Sequence, residues 1–273
     1  MHENVRAALF SATNALTPHT CTARLDVELL MAHALGISRE AMILNGLDGY
    51  TPEGFYPLLS RRLAGEPIAY ITGIRDFWSI SLMVTQAVLI PRPDSETLIE
   101  AALDYFGRVG PGRILDLGTG SGALLLAALT IWPDAVGQGV DISEAALGVA
   151  RANAERLSLA QRVQFSQGNW GLDITEKFDL ILCNPPYVEN GALLAREISE
   201  YEPAQALFSG EDGLDDYQKL MPQFAHLMNR DGIVALEIGS GQAGVVGMLA
   251  KDAGLAVEVR KDLAGKDRCL LLK

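Results

Sequence analysis

The hydrophobic and polar positions divide the chain into a helical N-terminal part and a longer part in which short apolar runs alternate with helical repeats. In residues 1–73 apolar side chains recur at the spacing of one helix face, as at Val5, Leu9 and Ala12. Thr51-Pro52 pairs a helix-capping residue with a proline that suits the first helical turn. We therefore predict a small bundle of short helices over residues 1–73, with one helix beginning at Thr51-Pro52.

The pattern changes between residues 74 and 90. The stretch from Phe77 to Val84 alternates partly with a period of two, and Ala87 to Ile90 forms a second short apolar run. We predict a linking β-hairpin over residues 74–90, followed by one larger domain over residues 91–273.

From Arg113 onward, apolar runs of strand length alternate with helical segments. Repeated strand–helix units imply an α/β fold in which a parallel sheet carries helices on both faces. The last two runs are joined by a short loop and predict an antiparallel hairpin at the sheet edge. The predicted strands are 114–117, 135–140, 163–165, 179–183, 233–237, 256–259 and 269–272.

Charge and cysteine usage narrow the class of protein. The 273-residue chain has 22 basic and 34 acidic side chains and a net charge of −12, which disfavours a phosphate backbone as the main partner. Cys21, Cys183 and Cys269 are far apart and argue against a disulfide framework or a zinc site. The start lacks a secretory pattern, and the longest apolar run, Ala123 to Trp132, is too short to span a bilayer. We expect a soluble, cytoplasmic protein without a metal.

One stiff polar turn stands out. Asp179 to Cys183 is an apolar run typical of a buried strand, and Asn184-Pro185-Pro186-Tyr187 follows it directly. The two prolines cannot continue the ladder and hold the chain rigid. Asn184 and a nearby aromatic ring are thus expected at the carboxyl end of a buried strand, where open α/β sheets bind ligands. Asn and Pro also end strands in ordinary turns, but this tetrapeptide in this position favours a functional site.

A glycine-rich loop follows the first strand of the alternating part. Gly118-Thr-Gly-Ser-Gly122 formally fits a dinucleotide fingerprint, and a tight structural turn is the alternative. Asp116 lies two residues before the loop, where a carboxylate suits an ammonium group better than a pyrophosphate. Asp141 ends the next strand, where a carboxylate can accept both hydroxyls of a ribose. The pattern indicates an adenosine ligand and favours one other than NAD.

These motifs resemble those of the class I S-adenosylmethionine-dependent methyltransferases. Asp116-Leu-Gly-Thr-Gly-Ser-Gly122 is similar to their first motif, Asp141 to their ribose-binding acid, and Asn184-Pro-Pro-Tyr187 to the motif of those that methylate amide or amino nitrogens. The resemblance implies a Rossmann-like sheet and S-adenosyl-L-methionine as the cofactor. The implied cofactor-binding residues are Asp116, Gly118, Thr119, Gly120, Ser121, Gly122, Asp141, Trp170 and Asn184.

Further segments resemble one family of these enzymes, the PrmC/HemK family. They are Gly65-Glu-Pro-Ile-Ala-Tyr-Ile-Thr-Gly73, Phe77-Trp-Ser79, Leu89-Ile-Pro-Arg-Pro-Asp94 and Glu200-Tyr-Glu-Pro203, so the likeness spans nearly the whole chain. It implies N5-methylation of the glutamine in the Gly-Gly-Gln motif of peptide chain release factors. The expected partner is then a release factor, bound by the helical bundle of residues 1–73. We expect a monomer with no direct nucleic-acid or membrane partner.

The resemblance also assigns roles within the turn. An amide nitrogen is a poor nucleophile, and acceptors placed off the amide plane favour the pyramidal nitrogen that attacks a methyl group. Asn184 and the backbone carbonyl of Pro185 are the implied catalytic acceptors, and Pro186 and Tyr187 complete the substrate-binding set. Trp170 is implied on the adenine side, beside Asn169, where the family often has an acid. Arg92 is either a solvated linker charge or a fixed guanidinium at the mouth of the site.

Three other functions fit part of the pattern. A nucleic-acid adenine-N6 methyltransferase uses a similar Asn/Asp-Pro-Pro-Tyr turn, but it must flip a base and grip phosphates. The acidic charge speaks against it. A non-catalytic cofactor-binding module would be expected to carry a broken turn. An NAD-linked dehydrogenase is disfavoured by Asp116 and by the proline turn.

Overall fold

The structure is a computed structural model that describes residues 3–273, and the chain divides into two compact units. The first unit runs to Ile74 and includes residues 194–201. The second comprises residues 75–193 and 202–273. Met1 and His2, which belong to the predicted bundle, lie outside the described residues.

The first unit is helical. Asn4 caps its first helix by accepting a hydrogen bond from Ala7 N at 2.8 Å, and Gly36 ends the second in a left-handed conformation. The helix predicted from Thr51-Pro52 is present, but it begins later than predicted, at Phe55. The backbone N–H of Thr51 donates instead to Glu3 O at 3.0 Å, which keeps this segment extended. The helices are α1 Val5–Leu16, α2 Ala23–Leu35, α3 Arg39–Ala41, α4 Phe55–Leu63, α5 Ile68–Thr72 and, from the returning segment, α9 Arg196–Ser199.

A buried ion pair joins the elements of this unit. Arg62 on α4 lies 2.8 Å from Asp26 on α2, and both side chains are almost fully buried. The same guanidinium lies 3.1 Å from Glu197 on α9. Arg62 therefore ties the returning segment to the N-terminal helices.

The second unit begins with a hairpin that is shorter than predicted. Strands β1 (Ile74–Phe77) and β2 (Ile80–Met83) form a two-stranded sheet, but Ala87–Ile90 is not a strand. Backbone N–H groups in this stretch find partners other than a neighbouring strand: that of Val88 donates to Thr85 O in a turn, and that of Ile90 donates to the carboxylate of the distant Glu202 at 3.3 Å. A carboxylate and a turn thus take the place of the hydrogen bonds that a neighbouring strand would have made.

The main sheet has seven strands in the order β5-β4-β3-β6-β7-β9-β8. The five strands from β5 to β7 are parallel, whereas β9 is antiparallel to both β7 and β8. The predicted α/β fold and its antiparallel edge hairpin are confirmed. The strands are β3 Arg113–Leu117, β4 Val136–Asp141, β5 Val163–Gln167, β6 Phe178–Cys183, β7 Met228–Glu237, β8 Val257–Lys261 and β9 Asp267–Leu272.

Side-chain alternation along the strands builds two hydrophobic layers. On β6, Leu180 and Leu182 pack into one cluster with α6, α7 and α8, whereas Ile181 and Cys183 pack into the other with α10 and α11. The first layer of helices is α6 Glu96–Phe106, α7 Ala123–Ile131 and α8 Glu144–Arg156; the second is α10 Asp215–Leu227 and α11 Ala243–Asp252. Within residues 3–273, no helix has the length and hydrophobicity needed to cross a bilayer.

The strand order fixes where a ligand can bind. Leu117 at the end of β3 pairs with Val140 of β4 on one side and with Cys183 of β6 on the other. The chain after β3 continues to one side of the sheet, and the chain after β6 continues to the other. The carboxyl ends of β3 and β6 therefore form the switch point at which open α/β sheets leave a crevice.

Candidate active site

A cavity of about 470 Å³ lies at this switch point, entirely within the second unit. Its wall combines polar groups at the strand ends with apolar groups from the loops, as is usual for small-molecule sites. Nine of the residues singled out in the sequence line it: Asp116, Gly118, Thr119, Gly120, Ser121, Asp141, Trp170, Asn184 and Pro186. Gly122, Pro185 and Tyr187 lie next to these residues in the chain but are not among the lining residues.

The glycine loop is a tight turn between β3 and α7. Gly118, Gly120 and Gly122 have φ angles of +73°, +54° and +82°, which L side chains rarely adopt. A Cβ atom on Gly118 would lie 3.0 Å from the ring of Trp170, so this position has no room for a side chain. The loop can therefore bring its backbone close to a ligand.

Asp116 carries an unsatisfied oxygen at the floor of the cavity. Its Oδ2 accepts a hydrogen bond from the Thr119 hydroxyl at 2.7 Å. Its Oδ1 is buried and forms no hydrogen bond of full geometry among the described residues. Burial raises the pKa of this carboxyl to about 7, against the Thr119 hydroxyl and the nearby backbone N–H of Leu125, which lower it. An ammonium group placed here would satisfy Oδ1 and favour the ionised form.

Asp141 is held in place by the backbone. Its Oδ2 accepts from the N–H of Gly120 and its Oδ1 from the N–H of Ser143, both at 2.9 Å. Each oxygen keeps a free lone pair toward the cavity that Asp141 lines. The carboxylate can thus accept the two hydroxyls of a ribose.

Trp170 forms part of the wall beside the glycine loop. It is a non-glycine residue with a positive φ of 57°, and its ring lies on the side of Gly118 where a side chain would project. Asn169 also lines the cavity and is exposed. A flat aromatic ring with a neighbouring amide is suited to a purine.

Asn184 lies directly after β6, level with the glycine loop. Its Nδ2 donates a hydrogen bond to the Ser95 hydroxyl at 3.1 Å, and both residues line the cavity. Pro185 behind it is buried. The amide oxygen of Asn184 forms no hydrogen bond within residues 3–273, so an acceptor is available to a ligand.

Tyr187 points away from the lining and into a buried polar cluster. Its hydroxyl donates to Oε1 of Glu237 at 3.2 Å, and its backbone oxygen accepts from Gln242 at 3.2 Å. Burial raises the pKa of the Tyr187 hydroxyl. The ring anchors the Asn-Pro-Pro-Tyr turn to β7 and α11.

Glu237 at the end of β7 is 1% exposed. Burial raises the pKa of its carboxyl to about 7, while Ser95, Arg268 and the Tyr187 hydroxyl act in the opposite direction. The Ser95 side chain lies close enough to Glu237 to lower its pKa through a hydrogen-bonding contact. The contact does not have full hydrogen-bond geometry, since Oε2 of Glu237 forms no hydrogen bond among the described residues. Ser95 thus lies between the Glu237 carboxyl and the Asn184 amide.

Arg92 is fixed at the wall of the cavity. Its guanidinium pairs with the carboxylate of Glu202, which is itself buried, and Arg92 lines the cavity. The second of the two interpretations of Arg92 is therefore confirmed. A second lining cation, Lys219, is paired with Asp216 at 3.0 Å.

Sequence reasoning did not identify Ser95, Glu237 or Glu202 as site residues. Ser95 is close to Asn184 only in space, 89 positions away along the chain. Glu237 offered a signal, because a carboxylate ended the apolar run at 233–237. The same logic that picked out Asp141 would have placed Glu237 at the same edge.

The residues present fit S-adenosylmethionine. Asp116 and Asp141 face the cavity without a cationic partner, and the buried Oδ1 of Asp116 lacks a hydrogen bond in the described chain. This is the environment that a ligand with an ammonium, a sulfonium and a ribose requires. The part of the chain that the structure describes holds no group of three or more acidic, His or Cys side chains placed to bind a metal.

Comparison with known proteins gives two matching family models. A methyltransferase domain matches residues 111–240, and the PrmC N-terminal domain matches residues 7–73. A release factor glutamine methyltransferase of Rhodospirillum rubrum is 43% identical over 92% of this chain and 78% of its own length. One from Vibrio cholerae is 37% identical over 99% of this chain and 97% of its own. A methyltransferase structure from Pyrococcus furiosus shares the fold, with a TM-score of 0.54 and 21% identity over 78% of this chain and 95% of its own.

Proposed function

Because the chain belongs to the release factor glutamine methyltransferase family, we propose that it transfers a methyl group from S-adenosylmethionine to the side-chain nitrogen (N5) of the glutamine in the Gly-Gly-Gln motif of peptide chain release factors. The observation that carries the proposal is the position of Asn184. Its amide lies at the same sheet edge as Asp116 and Asp141 and opens into the same cavity. Groups for the cofactor and for an amide substrate therefore meet in one site.

The cofactor is assigned to the side of the cavity formed by the glycine loop. Asp116 would accept the ammonium group, Asp141 the ribose hydroxyls, and Trp170 would cover the adenine. The backbone of Gly118 to Gly122 would contact the ligand between these groups. When bound, S-adenosylmethionine supplies a methyl group activated by the positive sulfur.

The substrate glutamine is assigned to the Asn-Pro-Pro-Tyr turn. The Asn184 side-chain oxygen and the Pro185 carbonyl would each accept one N–H of the glutamine amide. Acceptors outside the amide plane favour a pyramidal nitrogen whose lone pair is free to react, so they stabilise the transition state more than the ground state. Pro186 would form part of the wall of the glutamine site. Tyr187 supports the turn from behind.

The helical first unit is the proposed binding surface for the release factor. All cavity-lining residues belong to the second unit, so the first unit adds no group to the chemistry. Binding energy from remote contacts can orient a reacting group. The proposed substrate places the activity in the cytoplasm, where the three free thiols of the chain also stay reduced. A monomer is sufficient, since one chain holds the whole cavity.

Mass spectrometry tests the function directly. The purified protein is incubated with S-adenosylmethionine and a release factor, and the digested release factor is searched for methylated peptides. We expect one added methyl group on the glutamine of Gly-Gly-Gln, and none when that glutamine is replaced by asparagine. A parallel reaction contains adenine-bearing duplex DNA and RNA. Methylated nucleic acid with an unmodified release factor would refute the proposal.

A further inference from the structure

We propose that Ser95 is a positioning residue that fixes the orientation of the Asn184 side-chain amide, and that Glu237 imposes this orientation through Ser95. The inference rests on the proposed function, because it concerns how the acceptor for the substrate amide is aimed. Ser95 lines the cavity, but the role assigned to it acts through Asn184, and Glu237 is not among the lining residues.

The starting point is an ambiguity in every asparagine. An amide side chain presents an acceptor on one side and a donor on the other, and a half-turn exchanges them. At Asn184 the two orientations have opposite effects. With the oxygen toward the cavity, the substrate N–H finds an acceptor. With the Nδ2 group toward the cavity, two donors face each other and the substrate is repelled.

The hydrogen-bond chain removes this ambiguity. An ionised Glu237 is acceptor-only, and its second oxygen is buried without a full hydrogen bond in the described structure. The single proton of the Ser95 hydroxyl is therefore drawn toward Glu237, with which it forms a hydrogen-bonding contact. The Ser95 oxygen is then left as an acceptor. It can take only the Nδ2 group of Asn184, as the 3.1 Å contact shows.

Burial makes this control effective. Ser95 is 4% exposed and Glu237 is 1% exposed, so water does not offer either residue a competing partner. Tyr187 occupies the other oxygen of Glu237, which leaves Oε2 for Ser95. A buried donor or acceptor that loses its partner is costly. In the chain Glu237–Ser95–Asn184, the arrangement that brings the Ser95 proton nearest to Oε2 of Glu237 and gives the Ser95 oxygen a donor is the one with the Asn184 oxygen directed at the cavity.

The first test removes the Ser95 hydroxyl. Single-turnover methylation of a release factor is measured at saturating S-adenosylmethionine and about pH 8, where Glu237 is ionised. Ser95→Ala should slow transfer by about three- to tenfold, the factor that corresponds to one net hydrogen bond. Cofactor affinity by calorimetry should stay at the parent value. Ser95→Thr keeps the hydroxyl and should restore most of the rate.

A second variant keeps every side-chain volume. Glu237→Gln can donate to Ser95, which allows Ser95 to donate to the Asn184 oxygen and turn the amide the wrong way. Its rate should fall by a similar factor. Glu237→Gln also serves if Ser95→Ala does not fold, which circular dichroism reports.

Both changes are repeated in an Asn184→Ala background, which has no amide to orient. There, Ser95→Ala and Glu237→Gln should change the remaining rate by less than about twofold, because interacting residues are non-additive. Equal losses with and without the amide would mean structural damage and would overturn the inference. So would parent rates for both single variants. All these outcomes compare rates between variants. A release factor that the parent enzyme leaves unmethylated would instead refute the proposed function.

Discussion

The chemistry of the site depends on one amide placed at the end of a strand. Asn184 is fixed by the buried β6 before it and by two prolines after it. Its Nδ2 group donates to Ser95, while its oxygen forms no hydrogen bond within residues 3–273. This residue therefore has the largest expected effect on the chemical step.

We predict that Asn184→Ala slows methyl transfer by about a hundredfold to a thousandfold, by analogy with the loss of one oxyanion-hole donor. Asn184→Asp keeps two acceptor oxygens but adds a partly buried charge, so its rate should fall between those of the alanine variant and the parent. Single-turnover rates at saturating cofactor check both. Transfer at the parent rate by Asn184→Ala would show that the turn has no catalytic role.

Cofactor binding should depend on pH through Asp116. Its pKa is raised to about 7 by burial, so in the free protein it is mostly protonated below that value. An ammonium ligand needs the carboxylate, and binding then releases a proton. S-adenosylmethionine affinity should increase by up to about tenfold per pH unit as pH rises toward 7, and then level off. Calorimetry at several pH values measures this slope, which Asp116→Asn should abolish at a lower affinity.

The raised pKa of Asp116 also makes the stability of the folded protein depend on pH, in the direction opposite to that of cofactor affinity. The pKa of Asp116 is higher in the folded protein than its ordinary value of 3.8. The folded state therefore binds more protons, and the associated stability is present below about pH 4 and is lost as pH rises through 7. The nearby charge of Asp141 adds to the rise in the pKa of Asp116. Glu237, whose pKa is also raised to about 7, contributes to the loss of stability in the same direction. Cofactor-free protein should thus be more easily unfolded by urea at about pH 8 than at about pH 6. The Asp116→Asn variant should show a smaller difference in stability between these two pH values.

At the scale of elements, the strands were predictable because buried strands appear in the sequence as short apolar runs. Residues 114–117 and 179–183 are apolar runs bounded by glycine or proline, and the structure has strands there with nearly the same bounds. The glycine loop and the acid after β4 follow from the same local pattern. The strand predicted at 87–90 is absent, because the backbone N–H of Ile90 bonds to the distant Glu202. The helix predicted from Thr51-Pro52 begins only at Phe55, because the backbone N–H of Thr51 bonds to the distant Glu3. Local propensity carries no information about such partners.

Asn153 shows what this local pattern omits. It lies within α8, where a buried asparagine has no obvious use, and it is 1% exposed. Its side chain exchanges hydrogen bonds with both backbone groups of Met83 on β2, at 2.7 and 2.9 Å, and donates to Ser121 O at 2.9 Å. It therefore ties the hairpin and the glycine loop to one helix.

We predict that Asn153→Ala lowers the free energy of unfolding by about 1–3 kcal/mol, because it leaves buried backbone groups unsatisfied. Cofactor affinity should fall as well, since Ser121 belongs to the loop. Chemical denaturation followed by circular dichroism and calorimetry provide the two measurements. Asn190→Ala, at an exposed position of the same unit, is the matched control. Equal effects of the two substitutions would contradict the role assigned to Asn153.

At the scale of the whole molecule, the cavity lies in the second unit, and the first unit carries large apolar side chains in contact with solvent. The second unit also exposes such side chains, among them Leu263. Phe10 is 71% exposed and Leu44 is 78% exposed. Such residues are candidates for the proposed contact with a release factor.

We predict that Phe10→Ser combined with Leu44→Ser lowers kcat/KM on a folded release factor by about fivefold or more, as expected when interface anchors are truncated. The rate on a short Gly-Gly-Gln peptide should not change, because the peptide lacks the remote contact. Leu263→Ser, which alters a side chain of the second unit that is 99% exposed, is the control. An equal loss on protein and peptide, or no loss on the protein, would rule out this surface as the binding site.

The position of the Trp170 indole in the cavity wall gives the molecule an intrinsic optical signal. The chain has three tryptophans, and Trp170 alone among the described ones lines the cavity, whereas Trp132 is buried elsewhere in the core. An adenine stacked beside an indole and a nearby sulfonium both quench its emission. Ligand titrations can therefore be followed by fluorescence without a label, and Trp170→Phe should remove the response while the emission of the other two tryptophans remains.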